Sequence, residues 1–224
     1  MRCEDIIKKL ENEANPINVA GMARFGINPD KTLGVSIPFL RKLAKEIRKN
    51  HDLAKELWLS GIHEARILAG LIDDPDRVTE KQMDQWVEDF DSWDVCDLVC
   101  SNLFDKTRFA YKKAFEWTTR DDEFVKRAGF VMMAALSVHD KKASDREFEK
   151  FLPMIVREAK DERNYVKKAV NWALRVIGKR NKVLNRKAIK TAERIRKIDS
   201  SSARWIAADA LRELKSDAVQ RRLK

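Results

Sequence analysis

Trp93-Asp-Val-Cys-Asp-Leu-Val-Cys100 and Lys126-Arg-Ala-Gly-Phe-Val-Met-Met133 set the pattern on which three further stretches fall: Glu64 to Leu71, Lys167 to Leu174 and Ser202 to Asp209. In each, apolar residues recur at three and four positions rather than at two, the spacing of a helix with one buried face. Laid over one another the five segments share a register, and each is preceded by a second amphipathic stretch.

Their separation, about 30 to 40 residues, is the period of a two-helix solenoid of the HEAT or armadillo kind. The sequence therefore predicts an all-α protein, a solenoid of stacked antiparallel helix pairs curved into a superhelix with a basic concave face. Seven glycines and five prolines interrupt 224 residues. Breaks are expected at Asn15-Pro16, Asn28 to Asp30, Ser36 to Pro38, Ser60-Gly61, Asp74-Pro75, Asp89 to Ser92, Thr118 to Asp122, Asp140 to Asp145, Lys160 to Asn164, Gly178 to Asn185 and Asp199 to Ser202. Ser36 and Thr79 read as helix caps. No stretch has the length of an interdomain linker, so residues 1–224 read as a single domain, and 44% hydrophobic content suffices for its core.

Lys and Arg number 46 against 36 Asp and Glu, a net charge of +10, and the pI is about 9.5. Such a balance suits a polyanion, nucleic acid first. No apolar run approaches the roughly 20 residues of a membrane span, and the N-terminus lacks a signal peptide's apolar region. The chain is expected in the cytoplasm, associated with the nucleoid, as a monomer. Cys3, Cys96 and Cys100 form no zinc spacing. Cys96 and Cys100, one turn apart, read as small buried hydrophobes rather than as a redox or metal pair. No metal and no cofactor are expected, and His51, His63 and His139 read as structural or surface residues.

Aligned by eye, the five segments carry a stripe of Arg66, Asp97, Arg127, Lys168 and Arg204. Cations near helix N-termini suit phosphates, since side-chain charge and unpaired backbone N–H groups converge on one anion. Solvated charges or salt bridges within a repeat are the competing reading for each. Lys126, Lys167, Arg175, Lys179 and Arg180 extend the set of candidate backbone contacts. Asp97 is the exception. Among cations it is expected to stay ionised with a lowered pKa, and on a phosphate-binding groove it repels DNA. Two roles remain open for it: an ion pair that orders Arg127, or stabilisation of positive charge in a reacting nucleotide. Trp93 stands one turn before Asp97 and Trp172 one turn after Lys168. These two and Trp205 are candidates to offer a ring face to a cationic base or a sugar, whereas Trp58, Trp86 and Trp117 read as core. Asp94 reads as a structural charge in a helix's first turn.

Ser92-Trp93-Asp94-Val95-Cys96-Asp97, Val125-Lys126-Arg127-Ala128 and Val166-Lys167-Lys168-Ala169-Val170-Asn171-Trp172-Ala173-Leu174-Arg175 together resemble, in order and spacing, the motif helices of the AlkD-type alkylpurine DNA glycosylases, a DNA alkylation repair family of HEAT-like repeats. The stretch from Met22 to Ile27, with Gly34 to Pro38 and Leu40-Arg41, resembles that family's opening segment. The resemblance implies hydrolysis of the N-glycosidic bond of cationic N3- or N7-alkylated purines in double-stranded DNA, leaving an abasic site. It assigns Asp97 as the catalytic carboxylate, Trp93 and Trp172 as aromatic walls beside the lesion, and Arg127 as a backbone and active-site anchor. It further implies a grip on the lesion-bearing backbone without a deep base pocket. Because the superfamily holds members with little glycosylase activity, a non-catalytic HEAT-repeat scaffold for damaged or branched DNA is the alternative.

Overall fold

The computed structural model describes residues 1–223, and every regular element among them is helical. They gather into two compact units, Met1–Arg108 and Phe109–Lys224. The first contains α1 (Cys3–Asn12), α2 (Pro16–Arg24), α3 (Ile37–Ile47), α4 (His51–Leu59), α5 (His63–Ile72), α6 (Glu80–Glu88), α7 (Trp93–Asn102) and a 3-10 turn at Phe104–Lys106. The second contains α8 (Ala110–Glu116), a 3-10 turn at Trp117–Thr119, α9 (Glu123–His139), α10 (Asp145–Glu149), α11 (Leu152–Glu158), α12 (Asn164–Gly178), α13 (Lys182–Ile195), α14 (Ser201–Leu214) and α15 (Asp217–Gln220).

Helix starts follow local chemistry. Asn15 accepts from the N–H groups of Ile17 and Asn18 at α2, Ser36 from Phe39 at α3, and Thr79 from Gln82 at α6. The expected breaks all separate helices. Four further breaks, at 48–50, 103–109, 150–151 and 215–216, carry no glycine or proline and are not among those expected; at the first of them Arg48 ends α3 with φ 64, and the Asn50 side chain caps α4 at Leu53. A polar residue such as Asn before an apolar run was the available signal.

The five aligned segments lie in α5, α7, α9, α12 and α14. In the first unit α5 packs between α4 and α7, and the absence of a side chain at Gly70 lets Val99 of α7 approach. In front of these helices Trp58 of α4 stacks on Trp86 of α6 with ring centroids 4.0 Å apart. In the second unit α9 packs on α8 and α12, α12 on α13 and α14, and α13 on α14. Helix α9 is buried continuously from Val125 to Ser137, the mark of an element covered on all sides.

Gly129 lets backbone approach closely in this second unit, because a Cβ there would lie 2.8 Å from the Thr118 backbone nitrogen and 3.2 Å from the Trp117 carbonyl carbon. Backbone cannot yield as a flexible side chain does. Gly129→Ala is therefore expected to destabilise by roughly 1 to 3 kcal/mol, the usual cost of overpacking. Gly21→Ala in α2, with nothing within 4 Å of its Cβ, should be neutral or stabilising by up to about 1 kcal/mol. Urea unfolding of the two variants beside the wild type checks both signs.

Candidate functional site

Unit one contains an apolar-walled cavity of about 720 Å³ with Asp97 on its lining. Helix α2 contributes Ile17, Met22 and Gly21, the segment before α3 contributes Phe25, Ile27 and Val35, and α5 contributes Ile67. Trp93, Asp94, Asp97 and Leu98 come from α7. Trp93 and Asp97 are both half-buried and four residues apart, which puts them on one helix face. The Trp93 indole donates to the Phe25 carbonyl at 3.1 Å, so its ring is fixed against the N-terminal segment.

That segment is fastened from two sides. Glu64, only 1% exposed, accepts from the backbone N–H groups of Leu33, Gly34 and Val35 at 2.9, 2.6 and 3.2 Å. Asn28 donates its backbone N–H to Ser92 Oγ and its side-chain amide to Asp91. Helix α2 has no buried residue of its own. Sequence reading places Trp93 and Asp97 but not these walls. The opening motif from Met22 to Pro38 was the signal, since seven of its residues, Met22, Phe25, Ile27, Gly34, Val35, Ser36 and Ile37, line the cavity. The resemblance implies a grip without a deep base pocket; in this chain Asp97 lines an open, apolar-walled cavity.

Counting from the cap residues corrects the stripe. Asp97, Arg127 and Lys168 each stand five residues past their caps, Ser92, Asp122 and Arg163. The matching residues of α5 and α14, whose caps are Ile62 and Ser200, are Ile67 and Trp205. Arg66 and Arg204 precede them by one residue, a turn of about 100° around the helix. Ile67 accordingly faces the same cavity as Asp97. Arg66 instead lies over the Trp58 ring at 5.4 Å and donates to the Asp89 carbonyl at 2.8 Å.

The other predicted cations divide by their partners. In the second unit Arg127 is buried and donates to the Tyr165 carbonyl at 2.7 Å. Lys126, also buried, pairs with Glu158 at 2.8 Å and Asp161 at 3.6 Å. Arg175 meets Asp209 and Glu213, and Lys179 meets Glu213. Arg180 covers the Phe148 ring at 3.9 Å and donates to the Ser137 carbonyl. Lys167 lies 5.7 Å from the Trp205 ring centre. Arg204 is exposed and pairs with Asp199 at 3.0 Å, while Lys168 is exposed and makes no ion pair with a described residue. Trp172 is half-buried. Helix-end N–H groups expected to face phosphate are in two cases already used: Glu123 accepts from Tyr165 at α12, and Glu162 from Ser202 at α14. The Ser201 and Ser200 hydroxyls and that N–H hold the Glu162 carboxyl down at about 2.

His63 and Asp94 also line the cavity, with Nε2 2.9 Å from Oδ2. Asp94 Oδ1 accepts from the Val95 N–H, so this carboxylate ties α7 to α5. Cys96 and Cys100 are fully buried thiols, and burial raises Cys100 well above the ordinary range.

A family model described as "DNA alkylation repair enzyme" matches residues 6–214. A solved structure described as "A new family of proteins related to the HEAT-like repeat DNA glycosylases with affinity for branched DNA structures" is 21% identical with a TM-score of 0.79, covering 96% of each chain. The fold is thereby of the HEAT-like repeat kind. An engineered protein is 17% identical over 79% of this chain and 90% of its own, at a TM-score of 0.40. No curated protein matches.

Burial pulls the His63 imidazole down, but its hydrogen bond to Asp94 and the charges of Asp94, Glu64 and Asp91 outweigh it, and the net shift is upward. A raised folded pKa stabilises the native state fully below the unfolded value of about 6.5, and that contribution is lost as pH rises through the folded pKa. The stability gap between wild type and His63→Gln should therefore be largest in mildly acidic solution and shrink at alkaline pH. Urea unfolding across that range, with the His63 ring titration followed by NMR, tests it; a gap that widens with pH refutes the pairing.

Proposed function

Because the chain belongs to the family of DNA alkylation repair enzymes, we propose that it hydrolyses the N-glycosidic bond of cationic N3- or N7-alkylated purines in double-stranded DNA. Residues 1–224 would act as one DNA-binding domain, a monomer working in the cytoplasm on the nucleoid. No described helix is long and apolar enough to cross a membrane.

The observation that carries the reading is Asp97 on the wall of an apolar cavity, one turn from the fixed Trp93 ring. An alkylated purine that is already cationic leaves neutral: the C1′–N bond breaks with its electron pair going to the base, and no general acid is required. What the reaction needs is an anion beside the sugar as it becomes oxocarbenium-like. Water then adds through its oxygen to C1′ and sheds a proton to solvent, with Asp97 orienting it. Low-dielectric walls strengthen the attraction between Asp97 and the developing charge. Trp93 forms one wall beside the lesion, and Trp172 and Arg127 are assigned as second wall and anchor on the strength of their motifs. Of the predicted cations in the second unit, Lys168, Arg204 and Lys167 are the exposed or half-exposed ones free of buried acid partners and are assigned to meet phosphate, ahead of the paired Arg175, Lys179 and Lys126. Arg66 and Arg180 would add to backbone contact only by leaving their present partners.

A second reading is favoured by one finding. The similar solved structure is described as having affinity for branched DNA structures, which suits a scaffold that binds damaged or branched DNA without cutting the glycosidic bond.

Base release from duplex DNA containing N7-methylguanine separates the two. The wild type should release the base, and Asp97→Asn should lower the rate by roughly a hundredfold or more while DNA affinity, measured at the same salt, is unchanged or tighter. A protein that binds duplex DNA but releases neither N7-methylguanine nor N3-methyladenine is the scaffold.

A further inference from the structure

Trp205 is the one tryptophan among the described residues that the fold leaves in solvent, at 42% exposure. Its place on α14 is not a core place. Ser202, Ala203, Ile206, Ala207 and Ala210 make the buried face, whereas Ser201, Arg204, Trp205 and Ala208 recur at three and four residues on the exposed one. Packing therefore gives no reason for an indole here. One cation is at the ring and two more are exposed on the same pair of helices: Lys167 Nζ sits 5.7 Å from the ring centre, Arg204 precedes Trp205 on α14, and Lys168 holds the same register position on α12, which packs on α14. Two acids share the patch. Glu162 is held by Ser200, Ser201 and the Ser202 N–H, and Asp199 pairs with Arg204.

An exposed aromatic ring among basic side chains is the combination that binds a nucleic-acid strand whose base is out of the helical stack, the ring taking the base and the cations its phosphates. We propose that Trp205, with Lys167 and Lys168, is a stacking site for an unpaired base of DNA. A fully paired duplex buries its base faces and offers the ring nothing. A bulge, gap or junction offers one. The site confers a preference for interrupted over continuous DNA, and it acts whether or not Asp97 performs hydrolysis. It does rest on the reading that the chain binds DNA.

The experiment uses the full chain and two DNAs of the same length, one carrying a single bulged 2-aminopurine and one with that base paired. Affinity is read by anisotropy at fixed salt, and stacking by 2-aminopurine quenching. The wild type should prefer the bulged DNA by roughly five- to a hundredfold, the range that stacking one base on a ring gives, with quenching. Trp205→Ala should abolish both the preference and the quenching while leaving paired-duplex affinity unchanged, and Trp205→Phe should keep most of each. An unpreferred bulge in the wild type, or a preference that survives Trp205→Ala, overturns the proposal. Loss of base release with the bulge preference intact would overturn the glycosylase reading alone; absence of binding to either DNA would overturn both.

Discussion

The buried carboxylate of Glu64 is the constraint on which the first unit turns. A carboxylate with 1% exposure is tolerable only when hydrogen-bond donors surround it, and three consecutive N–H groups, those of Leu33, Gly34 and Val35, do so. The dependence is mutual, because those N–H groups lie in an irregular segment where no helix could satisfy them. Gly34 makes the arrangement feasible. Its φ of +77 is strained for other residues, and a Cβ there would lie 2.3 Å from the Asn15 carbonyl oxygen. Once Glu64 fixes residues 33–35, Ile27 and Val35 come to wall the cavity that Asp97 lines. The chemistry attributed to Asp97 thus depends on a carboxylate that has no part in it.

Glu123 and Glu162 perform a related service in the second unit, each accepting an N–H near the start of the next motif helix. Acids consequently occupy the helix ends, and cations stand a turn further along. Lys126 shows how closely the two signs interlock, held between Glu158 and Asp161. In α12 and α14, any phosphate contact falls to side chains rather than to the helix-end N–H groups that the sequence pattern offers for it.

Most of the helical order was legible because proline, glycine and capping residues punctuate it, and because the apolar period of the motif segments is unambiguous. Residues 48–50 escaped because the turn rests on a left-handed Arg48 and the cap Asn50. At the site, Trp93 and Asp97 were legible as neighbours on one helix. Their surroundings were not, since the Trp93 to Phe25, Asn28 to Ser92 and Glu64 to Gly34 bonds join residues far apart in sequence, and periodicity carries no information about such pairs. The same limit explains the stripe. Matching apolar letters by eye leaves an error of one residue, and on a helix one residue exchanges Arg66 for Ile67 and Arg204 for Trp205.

Charge has to be read through pairing as well. A net +10 counts every cation alike, yet Arg175 and Lys126 have partly buried partners, and separating them would strand carboxylates away from water. Arg204 differs, since its partner Asp199 is fully exposed and such a pair exchanges readily for a phosphate. Lys168 has no ion pair with a described residue to give up. The cations able to meet a polyanion are therefore fewer than composition suggests, and one of them, Lys167 of α12, lies 5.7 Å from the ring of the exposed Trp205 on α14. Nonspecific attraction follows the total charge, whereas the place where a strand is held follows the cations that the fold has left uncommitted.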